Sequence, residues 1–71
     1  MSQEARKYIA KNVNKYRILK GLTKEELSLI LGLDNSYISK LERKNVNITI
    51  DKLEQIANVL NVKIIKLLDE N

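Results

Sequence analysis

Asn35, Ser36, Tyr37, Ser39, Lys40 and Arg43 fall within one short stretch, and their side chains offer amides, hydroxyls and cations. On a helix advancing about 100° per residue, Ile38, Leu41 and Glu42 share one side while Ser36, Lys40 and Arg43 lie opposite. Asn35 and Ser39 flank the outer face on one edge, Tyr37 and Lys44 on the other. A face of that kind suits hydrogen bonding to base edges and pairing with phosphates, as a helix in a major groove would need. A plain solvated helix would carry it too, and composition alone does not choose between them. Catalytic chemistry is harder to build. The chain has no Cys and no His, which excludes thiolate or imidazole zinc sites, disulfides, and Ser–His or Cys–His nucleophiles. An enzyme would have to work with carboxylates, Lys and Tyr, and no acid–base or nucleophile constellation can be named. No metal or cofactor is expected.

The elements that must position this face are legible from punctuation. Gly21, Gly32 and Asn61 each end an apolar-periodic stretch and precede Leu22, Leu33 and Val62, which marks three helix ends. Thr23 with Glu26 forms a capping box, Asp34 is an N-cap, and Thr49 with Asp51 opens a later helix. No stretch alternates apolar and polar residues as a half-buried strand would. The spacing therefore predicts an all-α chain of five helices. The first covers about 3–20, with Ile9, Val13 and Tyr16 on one face. The second covers 24–31, with Leu27 and Leu31 inward. The third covers 35–44, with Ile38 and Leu41 inward. The fourth covers 50–60, where Ile50, Leu53, Ile56, Ala57 and Leu60 recur at the helical spacing of a core-facing stripe. The fifth is short, about 63–69. Helices two and three are joined only by Gly32, Leu33 and Asp34, a turn that fits a helix-turn-helix.

Seventy-one residues allow one domain, 1–71, with a core over about 9–68. Twenty-four of them are Leu, Ile or Val, enough apolar stock for a core without staples. No apolar run is long enough to span a bilayer and the N-terminus lacks a secretory pattern, so a cytoplasmic chain with no membrane contact is expected. The net charge is +4, and its distribution is uneven. Residues 1–24 hold seven cations against one anion, and each later third holds three against four. Surface solvation accounts for such charge more readily than nucleic acid does, unless a motif accompanies it.

The motif is in the middle of the chain. Gly21-Leu-Thr-Lys-Glu-Glu-Leu-Ser, then Leu31-Gly-Leu-Asp-Asn-Ser-Tyr-Ile-Ser-Lys-Leu-Glu-Arg, with Leu53-Glu-Gln-Ile-Ala-Asn-Val-Leu-Asn-Val downstream, resembles the Xre family of helix-turn-helix proteins, the phage repressor and Cro type. The resemblance implies a compact five-helix repressor-like domain, usually a homodimer, that puts its third helix in the major groove of double-stranded DNA. Position by position, it implies phosphate contacts for Thr23 and Lys24 at the start of helix two. It implies base reading by Asn35, Ser36, Tyr37, Ser39 and Lys40, and backbone contacts by Arg43, Lys44, Asn45 and Asn47. It also pairs Glu42, which the helical wheel places on the buried side, with Arg17 of helix one. Lys24 stands where the family often has Gln, and Ser28 where it usually has Ala. Lys44 replaces a common Gly, shifting the turn to Asn45. Asn47-Ile48-Thr49-Ile50, with Ile48 in place of the usual Pro, is similar to the restriction–modification controller proteins.

Some apolar residues fall at outward positions: Ile18, Leu29 and Ile30, then Ile65 and Leu68. Helix five, with Ile64, Ile65, Leu67 and Leu68, has little polar face for a terminal helix. The expectation is a two-fold interface on helix five and part of helix four, carried by Ile64, Ile65 and Leu68 with the last two central. The competing function is a protein-interaction module, for example an antitoxin that captures a protein partner through Leu29 and Ile30.

Overall fold

The computed structural model describes residues 3–43 and 46–70. Lys44 and Asn45, two of the expected backbone-contact residues, lie outside the described residues, as does the expected shift of the turn to Asn45. The helices are α1 (Gln3–Lys20), α2 (Lys24–Ile30), α3 (Tyr37–Glu42), α4 (Ile50–Leu60) and α5 (Ile64–Leu68), and no strand occurs among the described residues. None of these helices is long and apolar enough to cross a membrane.

Three helix ends share one device. Gly21 (φ +76°), Gly32 (φ +73°) and Asn61 (φ +58°) take the left-handed conformation. At each, two backbone amides fold back on the last turn. Gly21 and Leu22 donate to Ile18 and Arg17, Gly32 and Leu33 to Leu29 and Ser28, and Asn61 and Val62 to Asn58 and Ala57, all at 2.9–3.1 Å. This is the Schellman arrangement, which satisfies carbonyls that a helix terminus otherwise leaves unpaired. The following apolar residues Leu22 and Val62 pack against the core. At the other ends, Thr23 and Glu26 form the reciprocal capping box, and the Thr49 hydroxyl accepts the Lys52 amide at 3.1 Å.

The core draws on every helix: Ile9 and Val13 of α1, Leu27 of α2, Ile38 and Leu41 of α3, Leu53, Ile56, Ala57 and Leu60 of α4, and Leu67 of α5. Helix α1 is the spine against which α3, α4 and α5 pack, while α2 packs on α3. A buried amide fastens the last helix. Asn12 of α1 donates to the carbonyls of Leu67 and Asp69, at 3.1 and 2.6 Å, from a side chain almost without solvent contact.

Several boundaries and faces differ from the periodicity. Ile50 is exposed rather than inward, and Ile48 is buried in its place. With Thr49 as N-cap, Ile48 and Leu53 occupy the two positions of a hydrophobic staple and join the same core cluster, so the entering chain fills the space that Ile50 would have taken. Leu31 is only half-buried, at the cap beyond the last turn of α2. Helix α5 is one residue shorter at each end than expected. The largest difference is α3, which begins at Tyr37 and ends at Glu42, with Ser36 as N-cap and Arg43 as C-cap. Asp34 is therefore not its N-cap. It sits two residues upstream, where its carboxylate accepts the Ser36 amide at 3.2 Å and its carbonyl accepts the Tyr37 amide at 2.9 Å. The connection between α2 and α3 thus spans 31–36, and Asn35 and Ser36 lie in this turn rather than on the helix.

Candidate nucleic-acid interface

A short helix can present an outer face only if its inner face is fixed, and three devices fix α3. The first is burial of Ile38 and Leu41. The second replaces the missing cap. The Ser36 side chain makes no capping hydrogen bond. Instead the Ser28 hydroxyl of α2, fully buried, accepts the Ile38 amide at 3.1 Å while donating to the Lys24 carbonyl at 2.9 Å. An orphan amide of the first turn of α3 is satisfied by a neighbouring helix, which ties the angle of the pair to a hydrogen bond as well as to packing. Removing that hydroxyl in Ser28→Ala leaves a buried N–H unpaired, so stability should fall by about 1–2 kcal/mol. Urea unfolding checks this; a midpoint equal to that of the unchanged protein would show the bond to be dispensable.

The third device is ionic. Arg17 Nε donates to Glu42 Oε2 at 3.2 Å, and both side chains are about nine-tenths buried. The same guanidinium donates to the Leu22 carbonyl at 2.8 Å and to Asn14 Oδ1 at 2.5 Å. The other oxygen of Glu42 lies 3.5 Å from Lys24 Nζ. One carboxylate therefore joins α1, the start of α2 and the end of α3.

On this platform the outer residues are placed as follows. Asn35 and Lys40 are exposed, and Ser36, Tyr37 and Ser39 are half-buried. Tyr37 leans on the core, and burial holds its phenol above the usual tyrosine value, so near neutral pH the hydroxyl keeps its proton. Thr23, Arg43 and Asn47 are exposed. Lys24 is half-buried and engaged by Glu42. A guanidinium nitrogen of Arg6 donates to Asn47 Oδ1, tying the approach to α4 back to α1.

Residues 13–67 match the helix-turn-helix family. The chain belongs to that family, in its Xre-type branch. This helix-turn-helix protein is 39% identical over 66 residues to a hypothetical transcription factor of Neisseria meningitidis, covering 93% of the chain but 62% of the relative, so it spans about three fifths of that protein's length. It is 38% identical over 65 residues to the control protein C.SmaI of Serratia marcescens, covering 92% of the chain and 77% of the relative. The crystal structure of the restriction–modification controller protein C.AhdI from Aeromonas hydrophila superposes with a TM-score of 0.80 at 27% identity, covering 87% of the chain and 94% of that structure. The family is one of DNA-binding transcription regulators and controllers.

Three features of the site were invisible in the sequence pattern. Ser28 reads as a small spacer, although a hydroxyl on an inward face always needs a partner. Lys24 and Glu42 are eighteen positions apart, and no local rule couples them. Asn12 is one more polar residue of α1 until α5 closes over it.

Proposed function

We propose that this protein is a sequence-specific regulator of transcription, of repressor or controller type, that binds a pseudo-palindromic operator in double-stranded DNA as a homodimer, with α3 in the major groove. The observation that carries the reading is the anchored platform of α3. Its inner face is locked by Ile38, Leu41, Ser28 and the Arg17–Glu42 pair, while Asn35 and Lys40 stand free in solvent. Such an arrangement fixes the backbone that carries the base-reading side chains before any ligand arrives, which lowers the ordering cost of binding. Asn35 and Lys40 suit adenine and guanine edges respectively. Ser36, Tyr37 and Ser39 supply hydroxyls to bases or phosphates, and Thr23, Lys24, Arg43, Lys44, Asn45 and Asn47 hold the backbone.

The dimer is assigned to α5. Ile65 is 66% exposed and Leu68 38% exposed, and both project from α5, whose Leu67 is fully buried. Ile64 is half-buried against the protein's own core and completes the apolar surface of the helix beside them. Two-fold pairing there would set two copies of α3 about 34 Å apart, one turn of DNA. The similarity to restriction–modification controllers favours a regulator governed by its own concentration. The second reading, capture of a protein partner by α2, is supported by the exposure of Leu29 (64%) and Ile30 (56%).

Selection of bound duplexes from a randomised pool at near-physiological salt tests the proposal. The expected product is a two-fold symmetric motif with half-sites one turn apart. Against it, Asn35→Ala and Lys40→Ala should each cost about 1–3 kcal/mol of specific binding. No enrichment, or full operator affinity in both variants, would leave α3 as a solvated helix and move attention to Leu29 and Ile30.

A further inference from the structure

Part of the charge excess of the first third of the chain gathers at one place in the fold. A groove of about 450 Å³ opens between α1, the start of α2 and the end of α3, lined by Lys7, Lys11, Lys24, Arg43 and Glu42 over the small side chain of Ala10. Four cations thus face one carboxylate. That carboxylate is already occupied, by Arg17 Nε on one oxygen and Lys24 on the other. Lys7 and Arg43 belong to neither of these ion pairs and are exposed. Lys11 is exposed as well, and its ammonium rests 3.4 Å from the Glu70 carbonyl, a long contact that a flexible side chain can exchange. Lys7 and Lys11 are one helical turn apart on the same side of α1.

We infer that this groove is a second phosphate-binding surface, in which Lys7 and Lys11 hold phosphodiesters of the duplex backbone beyond those met by the start of α2 and the end of α3. The inference rests on the DNA-binding reading above. Its occupant is fixed by charge and continuity: the groove carries a net positive charge, and two of its walls, Lys24 and Arg43, are positions assigned to backbone contact. A backbone leaving those two residues along α1 passes over Lys11 and Lys7. These lysines then add affinity without sequence preference, because phosphates are the same in every duplex.

The test is a salt titration of binding to the selected operator and to a random duplex, for the unchanged protein, Lys7→Gln/Lys11→Gln and Lys20→Gln/Lys63→Gln. The last pair removes equal charge from exposed sites outside the groove. The expected result for Lys7→Gln/Lys11→Gln is a loss of affinity by the same factor on both duplexes. The slope of log K against log salt should flatten by roughly one unit for each lysine that meets a phosphate. Lys20→Gln/Lys63→Gln should leave the slope in place. A slope unchanged in the first variant, or flattened equally in both, overturns the groove while operator binding by the unchanged protein stands. An unchanged protein that fails to bind duplex at all overturns the DNA reading, and the inference with it.

Discussion

Arg17→Met should destabilise the protein by about 3 kcal/mol or more, because it strips a buried carboxylate of its nearest cation. The guanidinium does three things at once: it neutralises Glu42, closes the turn after α1 through the Leu22 carbonyl, and orients Asn14. Lys24, 3.5 Å from the other oxygen, remains as a partner and keeps the loss near the lower end of the usual 3–5 kcal/mol. A chain of 71 residues has only about 4–10 kcal/mol of total stability to lose, so the variant should be partly unfolded at 37 °C. Arg17→Met/Glu42→Leu should recover much of the loss, since no charge is then left unpaired in the interior. Chemical denaturation of the two variants checks the pair. A loss under about 1 kcal/mol in Arg17→Met, with no recovery in the double variant, would mean that water rather than Arg17 satisfies Glu42.

Ile65→Lys should abolish self-association and lower operator affinity by about a hundredfold or more, while the fold is kept. Ile65 is two-thirds exposed, so a lysine there costs the isolated domain within about 0.5 kcal/mol. Two copies joined through α5 bind two half-sites with the avidity of a linked pair, a gain of about 10²–10⁴ over one copy. Sedimentation and operator titration, with circular dichroism as the control for folding, measure each part. An Ile65→Lys protein that stays dimeric would place the interface elsewhere, and one that is monomeric yet binds the operator at full strength would remove the need for a dimer.

The parts of the fold that were legible in the sequence are those that local physics decides. Gly21, Gly32 and Asn61 mark helix ends because the left-handed conformation is easy for glycine and tolerable for asparagine, and the apolar residue after each completes the motif. Helix α4 was legible to the residue, with Thr49 before it and Asn61 after it. The buried sets Ile9 and Val13, then Leu53, Ile56, Ala57 and Leu60, follow from a period of 3.6. What escaped is tertiary. Helix α3 is six residues long, and its first turn is satisfied by Ser28, ten positions before Ile38. A rule that looks for the cap beside the helix therefore starts it too early, and puts Asn35 and Ser36 on a helix when they lie in a turn. Ile50 obeys the period but sits at the first position of α4, where Ile48 already fills the core. The polarity of the outer face was legible. The gathering of Lys7, Lys11, Lys24 and Arg43 around Glu42 was not, because it depends on how α1, α2 and α3 pack.

Affinity cleavage locates α3 on DNA directly. The chain has no cysteine, so Ser39→Cys creates a unique attachment point for an iron chelate that cuts the nearest deoxyribose. Ser39 is half-buried at the rim of the face. On the selected operator, two bound α3 helices should give two clusters of cuts, related by the two-fold axis of the site and about one helical turn apart. Cuts at a single position, or scattered evenly along the duplex, would contradict the placement of two α3 helices in successive major grooves.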